Sequence, residues 1–164
     1  MQLGEEIVIS GARETENADK SFVKQPDGCF MLRHHNWPIL AIEAGLSETE
    51  ARLTIDARRW LETKWSETET VITIKVGRNL PHISFKRWQH SKPQRVTRST
   101  RQQAKVVEQV EIHYNHPIAE ATGGMVIPFK AISGRGPQNS KEHDIIISKT
   151  IFEEVARRVA QSFN

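Results

Sequence analysis

Between Pro26 and Val76 the chain carries two short apolar runs about a polar turn, then a capped amphipathic helix, then a β-branched run. That order constrains the fold more than any other feature. Cys29-Phe30-Met31-Leu32 and Ile39-Leu40-Ala41-Ile42 have strand length, and His34-His35-Asn36 divides them. Pro38 suits the first residue or the edge of a strand. Ser47-Glu48-Thr49-Glu50 reads as a capping box, with Ser47 at the N-cap and Glu50 at N3. Leu53, Ala57, Trp60 and Leu61 then recur at helical spacing to about Glu62, leaving Arg52, Arg58, Arg59 and Glu62 for water. Val71 to Val76 has strong β composition. A helix of this length between two strands lets the second run parallel to the first through a right-handed crossover. A hairpin followed by a strand–helix–strand unit is therefore expected.

The flanks are less specific. Glu5 to Ser10 reads as a short strand and Gly11 to Lys24 as a polar loop. Gln25-Pro26-Asp27-Gly28 is turn chemistry. Ile83 to Trp88 forms a hairpin with Val71–Val76, and Val106 to Tyr114 resumes a strand pattern. Met125 to Phe129 is a short apolar segment and Ile145-Ile146-Ile147 a last strand. A C-terminal helix follows, capped by a second box at Thr150 and Glu153; its apolar face is Ile151, Phe152, Val155, Ala156, Val159 and Phe163.

With 164 residues, 37% hydrophobic and 26% charged, the chain has room for one core, and one domain spanning residues 1–164 is expected. The single cysteine, Cys29, excludes an intramolecular disulfide framework and any multi-cysteine zinc or iron–sulfur site. No apolar run is long enough to span a bilayer, and the N-terminus lacks the pattern of a secretory signal. An intracellular protein of cytoplasm or nucleus, without a membrane partner, is the expectation. The net charge of +3 permits a nucleic-acid partner without requiring one, and oligomeric state is not readable.

A hairpin centred on His35 matches residues whose numbers sum to seventy, so Asp27 falls opposite Glu43. Directly opposed residues have Cβ atoms ~5 Å apart, close enough for two carboxylates to share a divalent cation. Oxygen-only ligation completed by water favours Mg²⁺ or Mn²⁺. Glu43 would lie at the C-terminal end of a parallel strand, where open α/β sheets place their sites. A plain turn at Asp27 and a solvated Glu43 are the competing readings.

Three segments resemble a group of uncharacterised fungal proteins: Lys24-Gln25-Pro26-Asp27, Trp37-Pro38-Ile39-Leu40-Ala41-Ile42-Glu43-Ala44-Gly45-Leu46-Ser47-Glu48, and Asp56-Ala57-Arg58-Arg59-Trp60-Leu61. That group is similar in pattern to the PD-(D/E)XK restriction-endonuclease-like superfamily. The resemblance runs from about Lys20 to the C-terminus. It implies an α/β fold, a mixed sheet flanked by helices, with Asp27 and Glu43 as metal ligands. It also implies metal-assisted phosphodiester hydrolysis, in which the ion orients a water nucleophile and stabilises charge on the scissile phosphate. The chain departs from the superfamily in two places. Gly45 stands where a lysine usually assists, leaving Lys75 or Lys24 as the candidate ammonium, each with a solvated surface lysine as its competing reading. No helix precedes the first strand in the sequence pattern, so a core lacking the usual first helix is expected. The resemblance therefore implies a nuclease or its degenerate relic, and a non-catalytic nucleic-acid-binding or interaction module on the same fold is the alternative.

A basic segment spans about residues 86–105. Lys86, Arg87, Lys92, Arg95, Arg98, Arg101 and Lys105 occur there without one Asp or Glu. Lys86, Arg87, Arg95, Arg98 and Arg101 are the candidate contacts to DNA or RNA phosphates, and Trp88 and His90 are candidates to stack on bases. An exposed basic loop is the competing reading. His113 and His116 lack neighbouring ligands, so they are a weak metal signal. Cys29, Trp37 and Trp60 read as core, and Asp56 as a helix residue pairing with Arg52 or Arg59.

Overall fold

The computed structural model describes residues 7–11, 14–17, 19–46, 48–77, 82–91 and 103–162. A seven-stranded sheet forms the centre. Its strands are β1 (Ile7–Ser10), β4 (Gly28–Leu32), β5 (Pro38–Leu46), β6 (Thr70–Val76), β7 (Ile83–His90), β8 (Ala104–Asn115) and β9 (Ile118–Ala121), adjacent in that order. Two-residue strands β2 (Thr15–Glu16) and β3 (Val23–Lys24) pair within the segment read as loop. β10 (Met125–Ile127) pairs with β11 (Ile145–Ile147). The helices are α1 (Glu50–Glu62), α2 (Phe129–Ser133) and α3 (Lys149–Gln161). None is long and apolar enough to cross a membrane.

β5 and β6 pair parallel and every other adjacent pair in this sheet is antiparallel, so the mixed α/β sheet flanked by helices is observed. α1 connects the two parallel strands. The β4–β5 hairpin has the expected register at Gly28↔Ile42, Cys29↔Ala41 and Phe30↔Leu40, then shifts by one at Met31↔Pro38. A bulge between the turn and the open end accounts for the shift.

Alternation along the strands assigns the two faces. Ala41, Val71 and Trp88 pack with Phe22, Trp37, Ala57, Trp60 and Leu61 under α1. Leu40 and Ile72 face the other way, toward Ile127, Phe129 and Ile132. Phe152 and Ala156 of α3 close that side over β8 and β9. Leu53, Ala57, Trp60 and Leu61 are buried as expected, and Trp60 is fully enclosed.

Both caps differ from expectation. Thr49 is the N-cap of α1 and accepts from the Arg52 backbone N–H; Ser47 lies outside the described residues. Ser148, not Thr150, caps α3 and accepts from the Ile151 N–H. α1 and α3 each start where a hydroxyl reaches the free N–H groups of the first turn, and neighbouring Ser and Thr compete for that place. Ile151 is half exposed because it falls outside the stripe of Phe152, Ala156 and Ala160.

Candidate active site

Glu43 projects from β5 on the α1 side of the sheet, in a buried position. Its Oε1 accepts the Trp60 indole N–H at 2.5 Å and meets Lys24 Nζ at 2.8 Å. The same ammonium lies 3.0 Å from Asp56 Oδ1, and Arg52 Nε lies 3.3 Å from Asp56 Oδ2. The Lys24–Asp56 contact is electrostatic rather than aligned as a hydrogen bond, since Asp56 Oδ1 is buried without an aligned donor. Three elements converge here: β3 brings Lys24, β5 brings Glu43, and α1 brings Asp56 and Trp60.

Lys24 is therefore not a solvated surface lysine, because its side chain is only 12% exposed. Asp56 is held in the same way. The Arg52 pair exists, but the carboxylate is buried. The signal is present in the sequence, because Leu53, Asp56, Ala57 and Trp60 occupy i, i+3, i+4 and i+7 of one helix face. Burial of ionised carboxylates is costly unless they are paired, and Lys24 supplies the charge for two of them. Burial pushes the Glu43 carboxyl above its ordinary range; the Lys24 and Trp60 donors pull it back, and the neighbouring Asp56 charge pushes it up again.

Asp27 immediately precedes β4 and is exposed. Its N–H donates to Ile42 O at 3.0 Å, and its Oδ2 accepts from the Ala44 N–H at 2.7 Å. It is thus tied to β5 at the two residues flanking Glu43. Among the described residues, no hydrogen bond reaches Asp27 Oδ1 or Glu43 Oε2. Asp27 Oδ1 and Glu43 Oε2 are the two oxygens a hard cation could take, and among the described residues no group of three or more His, Cys, Asp or Glu side chains is arranged for a metal.

Gly45 pairs with Lys75 in the parallel ladder, so Lys75 lies one strand over from the position where a lysine would be expected. Among the described residues its ammonium has no hydrogen bond or ion pair. Gly45 itself is closed off: a Cβ there would lie 2.8 Å from Glu48 Cβ and 3.0 Å from its Cγ. Rows of polar residues continue across the face, with Glu43, Thr73, Lys86 and Gln109 in one register and Lys75, Ser84 and Glu111 in the next.

The basic segment separates into two parts. Lys86 pairs with Glu50 at the start of α1, and Arg87 donates Nε and Nη2 to Glu108 Oε2 at 3.0 and 2.9 Å. Both belong to β7, whose strand runs on to His90, so the expected basic loop at about 86–105 begins as strand. Trp88 is buried with its indole N–H on Thr73 Oγ1 at 2.9 Å, and so it does not present a face for base stacking. Arg95, Arg98 and Arg101 lie outside the described residues. No protein-family model, curated protein or solved structure matches the chain.

Proposed function

We propose that the chain is a metal-dependent nuclease-like protein that hydrolyses phosphodiesters with Asp27, Glu43 and Lys24. The observation that carries this reading is the clamp of Asp27 onto β5 at Ile42 and Ala44, with the Lys24 ammonium seated on the intervening Glu43. The resemblance to restriction-endonuclease-like proteins implies a mixed sheet flanked by helices with an Asp opening one strand and a Glu in the next, and Asp27 before β4 and Glu43 in β5 support the reading. A divalent cation held by the two carboxylates would supply Lewis acidity and an activated water.

The protein's own groups have distinct tasks. Asp27 and Glu43 supply the anionic oxygens. Trp60 fixes the Glu43 rotamer by holding Oε1. Lys24 places a positive charge at the site, where it offsets charge developing on a phosphate. Lys75 is the second candidate for that task, from the strand beside Gly45.

Supercoiled DNA and a structured RNA incubated with Mn²⁺ test the reading. Wild-type protein nicks one of them, and Asp27→Asn and Glu43→Gln each reduce cleavage by at least about a hundredfold, the range set by losing metal-held chemistry. Lys24→Met loses cleavage with metal binding retained, whereas Lys75→Met does not. The reverse outcome for the two lysines would transfer the ammonium's task to Lys75. Protein that binds Mn²⁺ and cuts nothing is a relic, and protein that binds no Mn²⁺ ends the nuclease reading.

A further inference from the structure

One ammonium serves two buried carboxylates that come from different elements. Lys24 Nζ is 2.8 Å from Glu43 Oε1 and 3.0 Å from Asp56 Oδ1. The three side chains are only 12%, 9% and 6% exposed. A divalent cation arriving at Glu43 would meet Lys24 already in contact with the same carboxylate. The two positive charges repel, strongly so where solvent is largely excluded. In the absence of another anion, the ammonium would either block the cation or leave the site for solvent. Asp56 removes that choice, because it already touches the ammonium.

Trp60 contributes independently. Its indole holds Glu43 Oε1 whether or not Lys24 does, so Glu43 stays oriented when the ammonium shifts. Arg52 reaches Asp56 through the other oxygen, Oδ2, leaving Oδ1 turned toward Lys24. That Oδ1 is buried and lacks an aligned donor, so a closer approach by the ammonium improves its hydrogen bonding.

We infer that Asp56 is a positioning residue: it draws the Lys24 ammonium off Glu43 when a divalent cation binds, and keeps that ammonium at the site. The inference rests on the reading of Asp27 and Glu43 as metal ligands. Lys24 then has two stations, one on each carboxylate, and the cation decides between them. In the cation-free protein it neutralises Glu43. In the loaded protein it would stay at the site on Asp56. Asp56 acts chiefly through Lys24, which it contacts directly.

Mn²⁺ titration by calorimetry on the full chain tests this, with near-ultraviolet circular dichroism as the control for folding. The set is wild type, Lys24→Met, Lys24→Gln, Lys24→Arg, Asp56→Asn, Lys24→Met with Asp56→Asn, and Glu43→Gln. Lys24→Met binds Mn²⁺ at least about tenfold more tightly, because a competing charge touching the ligand is gone. Lys24→Gln does the same and replaces Lys24→Met if the latter does not fold. Lys24→Arg stays near wild type. Asp56→Asn weakens binding by at least about threefold, because Lys24 then remains on Glu43. In the Lys24→Met background Asp56→Asn costs clearly less, since only the direct attraction of the Asp56 charge is left to lose.

An equal loss from Asp56→Asn in both backgrounds would assign Asp56 a merely structural role and overturn the inference. Loss of Mn²⁺ binding only in the double variant would make Asp56 a ligand and overturn it as well. Neutral lysine variants no tighter than wild type, with Glu43→Gln abolishing binding, would leave the metal site standing and remove the two stations. Absence of Mn²⁺ binding from every variant would remove the metal site itself, and the inference with it.

Discussion

Replacing Trp60 by Phe isolates the indole N–H that the candidate site depends on. Trp60 is fully buried, between Phe22 and Trp37 at ring-centroid distances of 5.4 and 6.2 Å, and it donates to Glu43 Oε1 at 2.5 Å. Two losses combine in the variant. The charge-assisted hydrogen bond contributes ~1.5–3 kcal/mol. The smaller ring leaves a void of roughly 40 Å³, worth ~1 kcal/mol at ~24 cal/mol per Å³. The edge-to-face contacts survive in part, so the sum is ~2.5–4 kcal/mol. For a domain of this size that lowers Tm by roughly 5–16 °C. Urea unfolding followed by circular dichroism measures it. In a Glu43→Met background the buried indole N–H has already lost its acceptor, so the penalty falls to ~1 kcal/mol or below. The pH dependence has a definite sign. Burial already holds the Glu43 carboxyl above its ordinary range, and the indole opposes that shift. A carboxyl raised in the folded state favours folding when protonated and disfavours it as pH rises through its folded pKa. Removing the indole raises it further, so the Trp60→Phe penalty is larger at pH 7 than at pH 4. Equal penalties with Glu43 and with Met at position 43 would refute this account of the hydrogen bond.

Neutralising Arg95, Arg98 and Arg101 together weakens DNA or RNA binding and flattens its salt dependence by about 0.9 in log–log slope for each phosphate left unneutralised, read by fluorescence anisotropy across salt concentrations. Lys86 and Arg87 behave differently, because their charges are taken up by Glu50 and Glu108; substituting them lowers stability, read as a lower urea midpoint. Glu142 provides an acid-side marker. The Arg135 guanidinium holds its carboxyl down to about 2. Its contribution is complete above the ordinary carboxylate range and is lost as pH falls through about 2. Glu142→Gln is therefore less stable than wild type at pH 7, and the difference closes on acid titration followed by circular dichroism.

The β4–β5–α1–β6 order is legible in the sequence because each element carries a local signature. The hairpin's apolar runs flank a short polar turn, and the register about His35 holds from Gly28 to Phe30. The helix stripe at Leu53, Ala57, Trp60 and Leu61 is buried as its spacing requires. Features decided by competition between near-equivalent neighbours are not legible, such as Thr49 over Ser47 and Ser148 over Thr150 as caps. β9 is equally silent, because four residues, Ile118 to Ala121, carry little β pattern alone and pair only once β8 is in place. The candidate site is half legible. Asp27, Glu43, Lys75 and Lys24 stand out in the sequence, and the helix spacing puts Asp56 on the buried face, but the burial of Lys24 is not readable there. A charged side chain reads as solvated until its partner from a distant element is known, and Lys24 and Asp56 are joined only through the fold.

The bulge in the β4–β5 hairpin separates the turn from the site. Pairing beyond it, at Met31↔Pro38, follows one register, and pairing from Phe30 to Gly28 follows another. A change in the number of residues around His34-His35-Asn36 can be absorbed where the two registers meet. Three ladder positions and the Asp27 bonds to Ile42 and Ala44 set the alignment nearer the site. The turn is thus a place where length can drift between relatives, or a loop can be inserted by design, while Asp27 keeps its station beside Glu43.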